Sequence, residues 1–220
     1  MSISPDRILY CDHALLAVNK LAGELVVKGS GKVQKLPLLD FLKKDYPGIH
    51  PLNRLDYETT GIVLFARNKK ILADALSTKF KGWTKTYRTI VAGRLPKDRG
   101  EITMPLPART KGEGDISATT RYKVLQRFEN STFIEVEIDT GRHHQIRRHF
   151  AMIHHPLVLD DIYGEGKLNQ KFSKATGYRR FFLHAWKVTL PHPVTGKETQ
   201  IEAPMPGNFE EVLERLGSKE

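Results

Sequence analysis

The sequence predicts an α+β fold with a mixed, mostly antiparallel sheet and flanking helices. Helix and strand patterns do not alternate regularly along the 220 residues, which argues against a doubly wound parallel sheet. Two strand patterns, 117–128 and 131–140, are separated by only Glu129 and Asn130, as expected for an antiparallel hairpin. No internal repeat is visible, and the length suits one globular domain or two small ones.

The first half of the chain contains four strand patterns and two helix patterns. We expect two short strands within 8–20, a short helix at 36–46 and an apolar strand at 61–67. A longer helix at 69–81 and an alternating strand at 85–93 should follow. The run GIVLFAR is apolar up to Arg67 and predicts a strand buried on both faces. Asn68 can cap the longer helix, whose inner face should carry Leu72, Leu76 and Phe80 at four-residue spacing.

The second half is richer in strands and polar loops. We expect a loop at 105–117, the hairpin, a mostly helical segment within 140–155, a basic loop at 164–180, strands at 181–193 and 198–204, and a closing helix at 208–217. In the second hairpin strand, Ile134, Val136 and Ile138 alternate with acidic residues and should face the core.

The net charge of +10 and pI of about 9.6 favour a polyanionic partner, nucleic acid first and a membrane surface second. The single cysteine, Cys11, excludes an internal disulfide framework and a cysteine-based zinc cluster. The N-terminus lacks the charged and apolar regions of a signal peptide, and no apolar run approaches the ~20 residues of a membrane span. We therefore expect a cytoplasmic protein.

The stretch TGRHHQIRRHFAMIHH, residues 140–155, carries five histidines and three arginines. A helical zinc site needs histidines four residues apart, and no pair among positions 143, 144, 149, 154 and 155 has that spacing. Phosphate contact is better supported, because Gly141 opens a helix whose free N–H groups suit an anion, as do the side chains of Arg142 and Arg148. The alternative is a solvated basic face.

Arg147 follows the apolar Ile146 on this short helix, so its side chain can point inward. A buried arginine needs a carboxylate partner. Asp56, in HPLNRLDYETTGIVLFAR, is the best candidate because it precedes a turn feeding a buried strand, where catalytic groups are common. The alternative is an aspartate that only caps this turn, whose Thr60 and Gly61 allow a tight bend.

Several motifs, in order over residues 8–206, resemble the RluA-type family of pseudouridine synthases. The segments that carry the resemblance are NRLDYETTG, KTYRTIVAG, GRHHQIRRH, HPLVLDDIYG and FLHAWKVTLPHP. The chain departs from the family pattern at Asn53 for histidine, Thr60 for serine and His143 for threonine. Asn53 puts any contact made by that imidazole in doubt, but the aspartate is unaffected.

The resemblance implies the family fold, with a central RNA-binding cleft, and the conversion of uridine to pseudouridine within RNA. It implies that Asp56 acts at the sugar, either by attacking the anomeric carbon or by removing a neighbouring proton. Tyr87 would stack on the target uracil, and Arg147 would keep Asp56 ionised beside the apolar wall of Ile146. Arg54 would enter the vacated base stack; further substrate contacts are assigned to Thr60, Arg142, Gln145 and Arg148, and phosphate contacts to the loop 167–180.

The implied reaction needs no cofactor and no metal. We expect one catalytic domain over residues 1–220, without a separate N-terminal RNA-binding domain. The chain should act as a monomer on a transfer RNA stem-loop or on 23S ribosomal RNA, with no membrane partner. Two other readings remain: an RNA-binding module that kept the fold and lost the chemistry, and a metal-dependent nuclease that uses the histidines.

Overall fold

The computed structural model describes residues 3–29, 35–108 and 114–218. They form two compact units, the first made of Met1–Thr84 and Ala185–Pro204, and the second of Lys85–His184 and Met205–Glu220. Each unit combines two separate segments of the chain. One catalytic domain over residues 1–220 stays a prediction.

The elements follow the predicted order with some changes of extent. A 3₁₀ turn at Pro5–Arg7 precedes β1 Ile8–Cys11, β2 Leu15–Lys20, α1 Leu38–Asp45, β3 His50–Pro51, β4 Thr60–Ala66, α2 Lys69–Ser77 and β5 Thr84–Ala92. The chain continues through β6 Arg99–Ile102, β7 Leu106–Pro107, β8 Asp115–Ile116, β9 Thr120–Arg127, β10 Ser131–Ile138, α3 Gln145–Met152, α4 Gly166–Thr176, β11 Leu183–Pro191, β12 Glu198–Glu202 and α5 Gly207–Gly217.

In the first unit, β2 pairs antiparallel with β1 on one side and with β4 on the other. Strand β11 lies next to β4 and pairs antiparallel with β12. The β2–β4 register runs from Leu15 opposite Ala66 to Lys20 opposite Gly61. This register brings the end of β2 next to the start of β4, directly after the segment that carries Asp56.

The prediction that β4 is buried on both faces is confirmed. Ile62 and Leu64 belong to one apolar cluster, whereas Val63 and Phe65 belong to another. Because alternate residues of a strand point to opposite faces, the first unit has core on both sides of its sheet.

Of the inner face predicted for α2, Leu72 and Phe80 are partly buried and pack against the core, whereas the assignment of Leu76 is wrong. Ile71 and Ala75 are its buried residues, whereas Leu76 is 54% exposed. The helix also ends at Ser77, before the predicted end, because Lys79 and Phe80 adopt left-handed backbone conformations that no helix can contain. Asn68 caps the helix as predicted, accepting a hydrogen bond from the backbone N–H of Ile71.

The second unit contains a sheet in the order β5-β10-β9-β6. The predicted hairpin is confirmed as β9 and β10, and β10 also pairs antiparallel with β5, with Val136 opposite Tyr87. The predicted loop 105–117 contains the two short paired strands β7 and β8, while its middle, 109–113, lies outside the described residues.

The predicted basic loop at 164–180 is wrong, because its larger part is α4. Phe172 and Thr176 are buried on one side of this helix, and it ends at Gly177, which adopts a left-handed conformation. In the described part of the chain, no helix combines the length and apolar character needed to cross a membrane.

Candidate active site

The segment before β4 holds Asp56 in a half-buried position. Asn53 braces this segment, because its side-chain oxygen accepts the N–H of Leu64 at 2.7 Å and its amide donates to the carbonyl of Ile62 at 3.2 Å. The backbone N–H of Thr59 closes the turn by donating to the carbonyl of Asp56 at 3.1 Å. Asn53 thus anchors the Asp56 segment to β4.

Gly61 permits the turn to enter β4. Its φ of 104° lies where side chains are strained, and a Cβ at this position would collide with the backbone of Ala185. The segment therefore needs glycine to bring β4 against its neighbouring strand, directly after Thr60.

A buried lysine stabilises the segment that carries Asp56. The side chain of Lys20 is fully buried, and its ammonium donates to the carbonyls of Leu21, Tyr57 and Thr59 at 3.0, 3.0 and 2.6 Å. Two of these carbonyls belong to the turn that follows Asp56. Burial lowers the pKa of Lys20 to about 8, and Glu24, Asp56 and Glu58 oppose this shift as nearby negative charges.

At neutral pH Lys20 is therefore mostly charged, and its buried charge should give a measurable pH dependence of stability. Between pH 8 and 10.5 the unfolded chain still holds this proton while the folded chain has released it, so Lys20 adds to the free energy of unfolding as pH rises. We expect the free energy of unfolding of the wild type, relative to Lys20→Met, to increase by about 2 kcal/mol from pH 7 to pH 10. Urea denaturation across this range measures it.

The exposed Lys70 offers the control for this measurement. Lys70→Met should leave the pH profile of the wild type unchanged. A Lys20→Met profile parallel to that of the wild type would contradict a buried, charged Lys20.

In the second unit, α3 carries Arg147 into the interior, where it is 3% exposed. Its Nε and Nη2 donate to the two carboxylate oxygens of the fully buried Asp160 at 2.7 and 2.8 Å. The prediction that Arg147 turns inward and needs a carboxylate is confirmed, and Asp160 is a partner that the sequence reasoning missed.

Asp160 is itself held as an anion. Burial alone would raise the pKa of Asp160, but hydrogen bonds from Arg147 and from the backbone N–H groups of Tyr163 and Ile162 outweigh burial and lower it. The guanidinium of Arg147 also lies over the rings of Phe181 and Tyr163, 4.7 and 5.3 Å from their centroids. The result is a fixed cation with one edge committed to Asp160.

Removing the charge of Asp160 should be costly. Asp160→Asn would leave the buried guanidinium without this anion, so we expect the free energy of unfolding to fall by about 3 kcal/mol. The matched control is Asp161→Asn, since the side chain of Asp161 is 86% exposed and lies 3.8 Å from Nη2 of Arg147. Asp161→Asn should cost less than about 0.5 kcal/mol. Equal losses in chemical denaturation would contradict the assigned role of Asp160.

The turn into α3 is shaped by Gln145, which is 3% exposed. Its Oε1 accepts the hydroxyl of Thr140 and the N–H of Arg142, and its Nε2 donates to the carbonyl of Thr119 and to Thr120. These four hydrogen bonds hold the turn into α3, and the substrate contact of Gln145 stays a prediction.

The histidines of this region serve different structural tasks. His149 is fully buried, and its two ring nitrogens contact the hydroxyl of Thr120 and the carbonyl of Met104 at 2.8 and 2.9 Å. His144 adopts a left-handed conformation, and its Nδ1 lies 3.1 Å from the hydroxyl of Tyr163. Within 3–29, 35–108 and 114–218, no three His, Cys, Asp or Glu side chains are grouped as metal ligands would be.

The two units divide the predicted site residues. Arg54, Asp56 and Thr60 belong to the first unit, where Arg54 is exposed and the other two are half-buried. The other predicted site residues belong to the second unit. Of these, four are buried, Tyr87, Gln145, Ile146 and Arg147, whereas Arg148 is half-buried and Arg142 is exposed. Tyr87 lies on β5, opposite Val136. The pairing of Asp56 with Arg147 stays a prediction.

Sequence reasoning missed Lys20 and Asp160 although both follow apolar runs. Lys20 ends LLAVNK, and Asp160 follows LVL in HPLVLDDIYG. The local signal is a charged residue at the end of a mostly apolar run, but most such residues are exposed, so this signal does not identify a buried charge by itself.

Comparison with known proteins shows the family of this chain. A family model described as RNA pseudouridylate synthase matches residues 14–152. Ribosomal large subunit pseudouridine synthase C of Salmonella typhi is 34% identical, with 97% of this chain aligned to 71% of that protein. The protein of the same name from Escherichia coli (strain K12) is 33% identical, over 96% of this chain and 70% of that protein.

Two solved human structures share the fold. Human RNA pseudouridylate synthase domain containing 4 superposes with a TM-score of 0.81 at 24% identity, covering 96% of this chain and 93% of that chain. For domain containing 1 the TM-score is 0.73 at 24% identity, with 94% and 87% covered. The predicted α+β class with a mostly antiparallel sheet is confirmed.

Proposed function

Since this chain belongs to the RNA pseudouridylate synthase family and has its fold, we propose that it isomerises a uridine of 23S ribosomal RNA with Asp56 as the catalytic carboxylate. The observation that carries the choice of RNA is the 34% identity to a ribosomal large subunit enzyme, which covers 97% of this chain. Transfer RNA is the second candidate substrate, since the basic net charge suits either RNA.

The reaction leaves the elemental composition of the substrate RNA unchanged. The bond from N1 of uracil to the anomeric carbon breaks, and a bond from C5 to the same carbon forms. The proton on C5 leaves, and N1 gains a proton, so no oxidant or reductant is consumed. Only a carboxylate at the sugar and a group that accepts the C5 proton are required from the protein.

Asp56 is the carboxylate that we assign to the sugar of the target uridine. It lies in a segment that Asn53 anchors to β4, and the ammonium of Lys20 donates to two backbone carbonyls of the turn that follows it. In this proposal Asp56 either attacks the anomeric carbon or removes a neighbouring proton. Both roles need an ionised carboxylate held in one position.

We infer that Arg147 pairs with that carboxylate. Asp160 engages its Nε and Nη2, which fixes the plane of the guanidinium. In this proposal the Nη1 edge faces Asp56, and Ile146, 4% exposed, forms an apolar wall beside it. Tyr87 stacks on the uracil and helps to remove the C5 proton.

The target uridine must leave the base stack before it can react, at a cost of a few kcal/mol. The exposed Arg54 lies two residues before Asp56, so it is well placed to enter the vacated stack. Arg142 and Arg148, around the start of α3, contact phosphates, and Thr60 contacts the target nucleotide. These contacts position the substrate and leave the chemistry to Asp56.

The test is the release of tritium from RNA labelled at C5 of uridine. Purified protein should release tritium from 23S ribosomal RNA transcripts, in EDTA, while the RNA chain stays intact. Release from transfer RNA alone would move the proposal to that substrate. Cleavage that stops in EDTA would identify the nuclease, and binding without release would identify the non-catalytic module.

A further inference from the structure

Helix α4 carries three lysines on one exposed face. Lys167, Lys171 and Lys174 are spaced by four and three residues, which places them on the same side of a helix, and all three are exposed. The helix contains no acidic residue, and Arg179 and Arg180 follow it, both exposed. We call the three lysines the α4 lysine face.

The opposite side of α4 fixes the helix to the second unit. Phe172 and Thr176 are buried there, and Phe172 packs edge-on against Phe182. The carbonyl of Thr176 accepts a hydrogen bond from Arg215 of α5 at 2.6 Å. These contacts hold helix α4, and with it the α4 lysine face, in a fixed position on the second unit.

Helix α4 also contacts the turn that carries Asp160, the partner of Arg147. The side chain of Asn169 accepts the N–H of Leu159 at 2.7 Å and donates to the carbonyl of Asp160 at 2.9 Å. Asp160 in turn binds Arg147 through two hydrogen bonds. One element thus joins the α4 lysine face to the turn that positions the buried arginine.

The charge on this face is not balanced locally. Over the described residues, none of the three lysines takes part in an ion pair, and like charges four residues apart destabilise a helix by a few tenths of a kcal/mol. A polyanion removes that repulsion. A membrane surface fits less well, because a membrane-bound helix must insert its apolar side, and here that side is buried in the protein.

We propose that the α4 lysine face binds backbone phosphates of the substrate RNA outside the target nucleotide. This inference rests on the proposed function, which it extends from the reacting uridine to its flanking RNA. The face spans about 10 Å along the helix axis, so it tracks more than one phosphate. Such contacts set the register of the RNA without reading its sequence.

The experiment compares two triple variants that lose the same three charges. The first is Lys167→Gln, Lys171→Gln and Lys174→Gln. The control is Lys69→Gln, Lys79→Gln and Lys81→Gln, three exposed lysines in and after α2. Affinity and kcat/KM are measured for a long RNA with flanking sequence and for a short stem-loop with the target uridine, from 50 to 200 mM salt.

The α4 variant should lose roughly ten- to a hundredfold in affinity and kcat/KM on the long RNA near 0.1 M salt. Its slope of log affinity against log salt should fall in magnitude by about 2 to 3. On the short stem-loop, the α4 variant should match the wild type within about twofold, as should the control variant on both RNAs.

Three results would overturn the inference: an unchanged salt slope in the α4 variant, an equal loss in the control variant, or lysine-dependent binding to anionic vesicles with no effect on RNA affinity. The proposed function fails separately, if the wild type forms no pseudouridine in either RNA. In that case the RNA affinities alone still decide whether the α4 lysine face binds phosphates.

Discussion

Replacing Arg147 with lysine should lower the rate of pseudouridine formation by about 100- to 1000-fold. The guanidinium donates from Nε and Nη2 to Asp160, and in the proposed function a further edge of its plane pairs with Asp56. A lysine keeps the positive charge but is a single point donor, so it cannot hold Asp160 by two bonds and also orient a second carboxylate.

The neighbouring Arg148 gives the matched control. It is half-buried and proposed to contact phosphate, where charge matters more than planar geometry, so Arg148→Lys should change the rate less than about fivefold. Single-turnover tritium release measures both variants, and circular dichroism checks that each is folded. Near wild-type rates for Arg147→Lys would contradict the pairing with Asp56.

The sheet and its hairpin could be predicted from local pattern. The apolar run of β4 and the alternation of β10 state directly which faces are buried, and the structure agrees with both. Strand burial repeats every two residues, so even short segments specify it. That periodicity explains why the fold class emerged from sequence alone.

Helix α4 could not be predicted because its apolar face is small. Only Phe172 and Thr176 are buried over its 11 residues, and the lysines dominate the composition. Such a segment is typical of a solvated loop, and tertiary contacts such as that of Thr176 with Arg215 stabilise it as a helix. Leu76 of α2 was wrongly assigned to the core for a related reason, since it fits the apolar spacing but remains exposed.

The buried charged residues are a second feature that the sequence did not predict. Lysine and aspartate are mostly exposed in proteins, so sequence patterns assign Lys20 and Asp160 to the surface. Their burial depends on backbone carbonyls and N–H groups that the fold brings to them, as with the three carbonyls around Lys20. The inward orientation of Arg147 could be inferred, but its partner Asp160 could not.

Asp56→Asn should abolish pseudouridine formation, with a loss of at least about 10⁴-fold, while RNA binding stays nearly unchanged. Asparagine has nearly the same shape but is neutral, so it can neither attack the anomeric carbon nor accept a neighbouring proton. The turn around residue 56 should persist in this variant, because its backbone carbonyls accept the hydrogen bonds from the N–H of Thr59 and the ammonium of Lys20.

A second carboxylate in the same segment separates chemistry from local electrostatics. Glu58 is half-buried and, like Asp56, acts on Lys20 as a nearby negative charge. Glu58→Gln therefore removes the same charge two residues away without touching the proposed catalytic group, and it should retain turnover within about tenfold of the wild type.

The most direct measurement is single-turnover tritium release with enzyme in excess over a 23S ribosomal RNA transcript, in the wild type, Asp56→Asn and Glu58→Gln. We predict one tritium released per target uridine by the wild type and by Glu58→Gln, and none by Asp56→Asn despite equal RNA binding. Turnover by Asp56→Asn, or its loss in both variants alike, would contradict the assignment of the chemistry to Asp56.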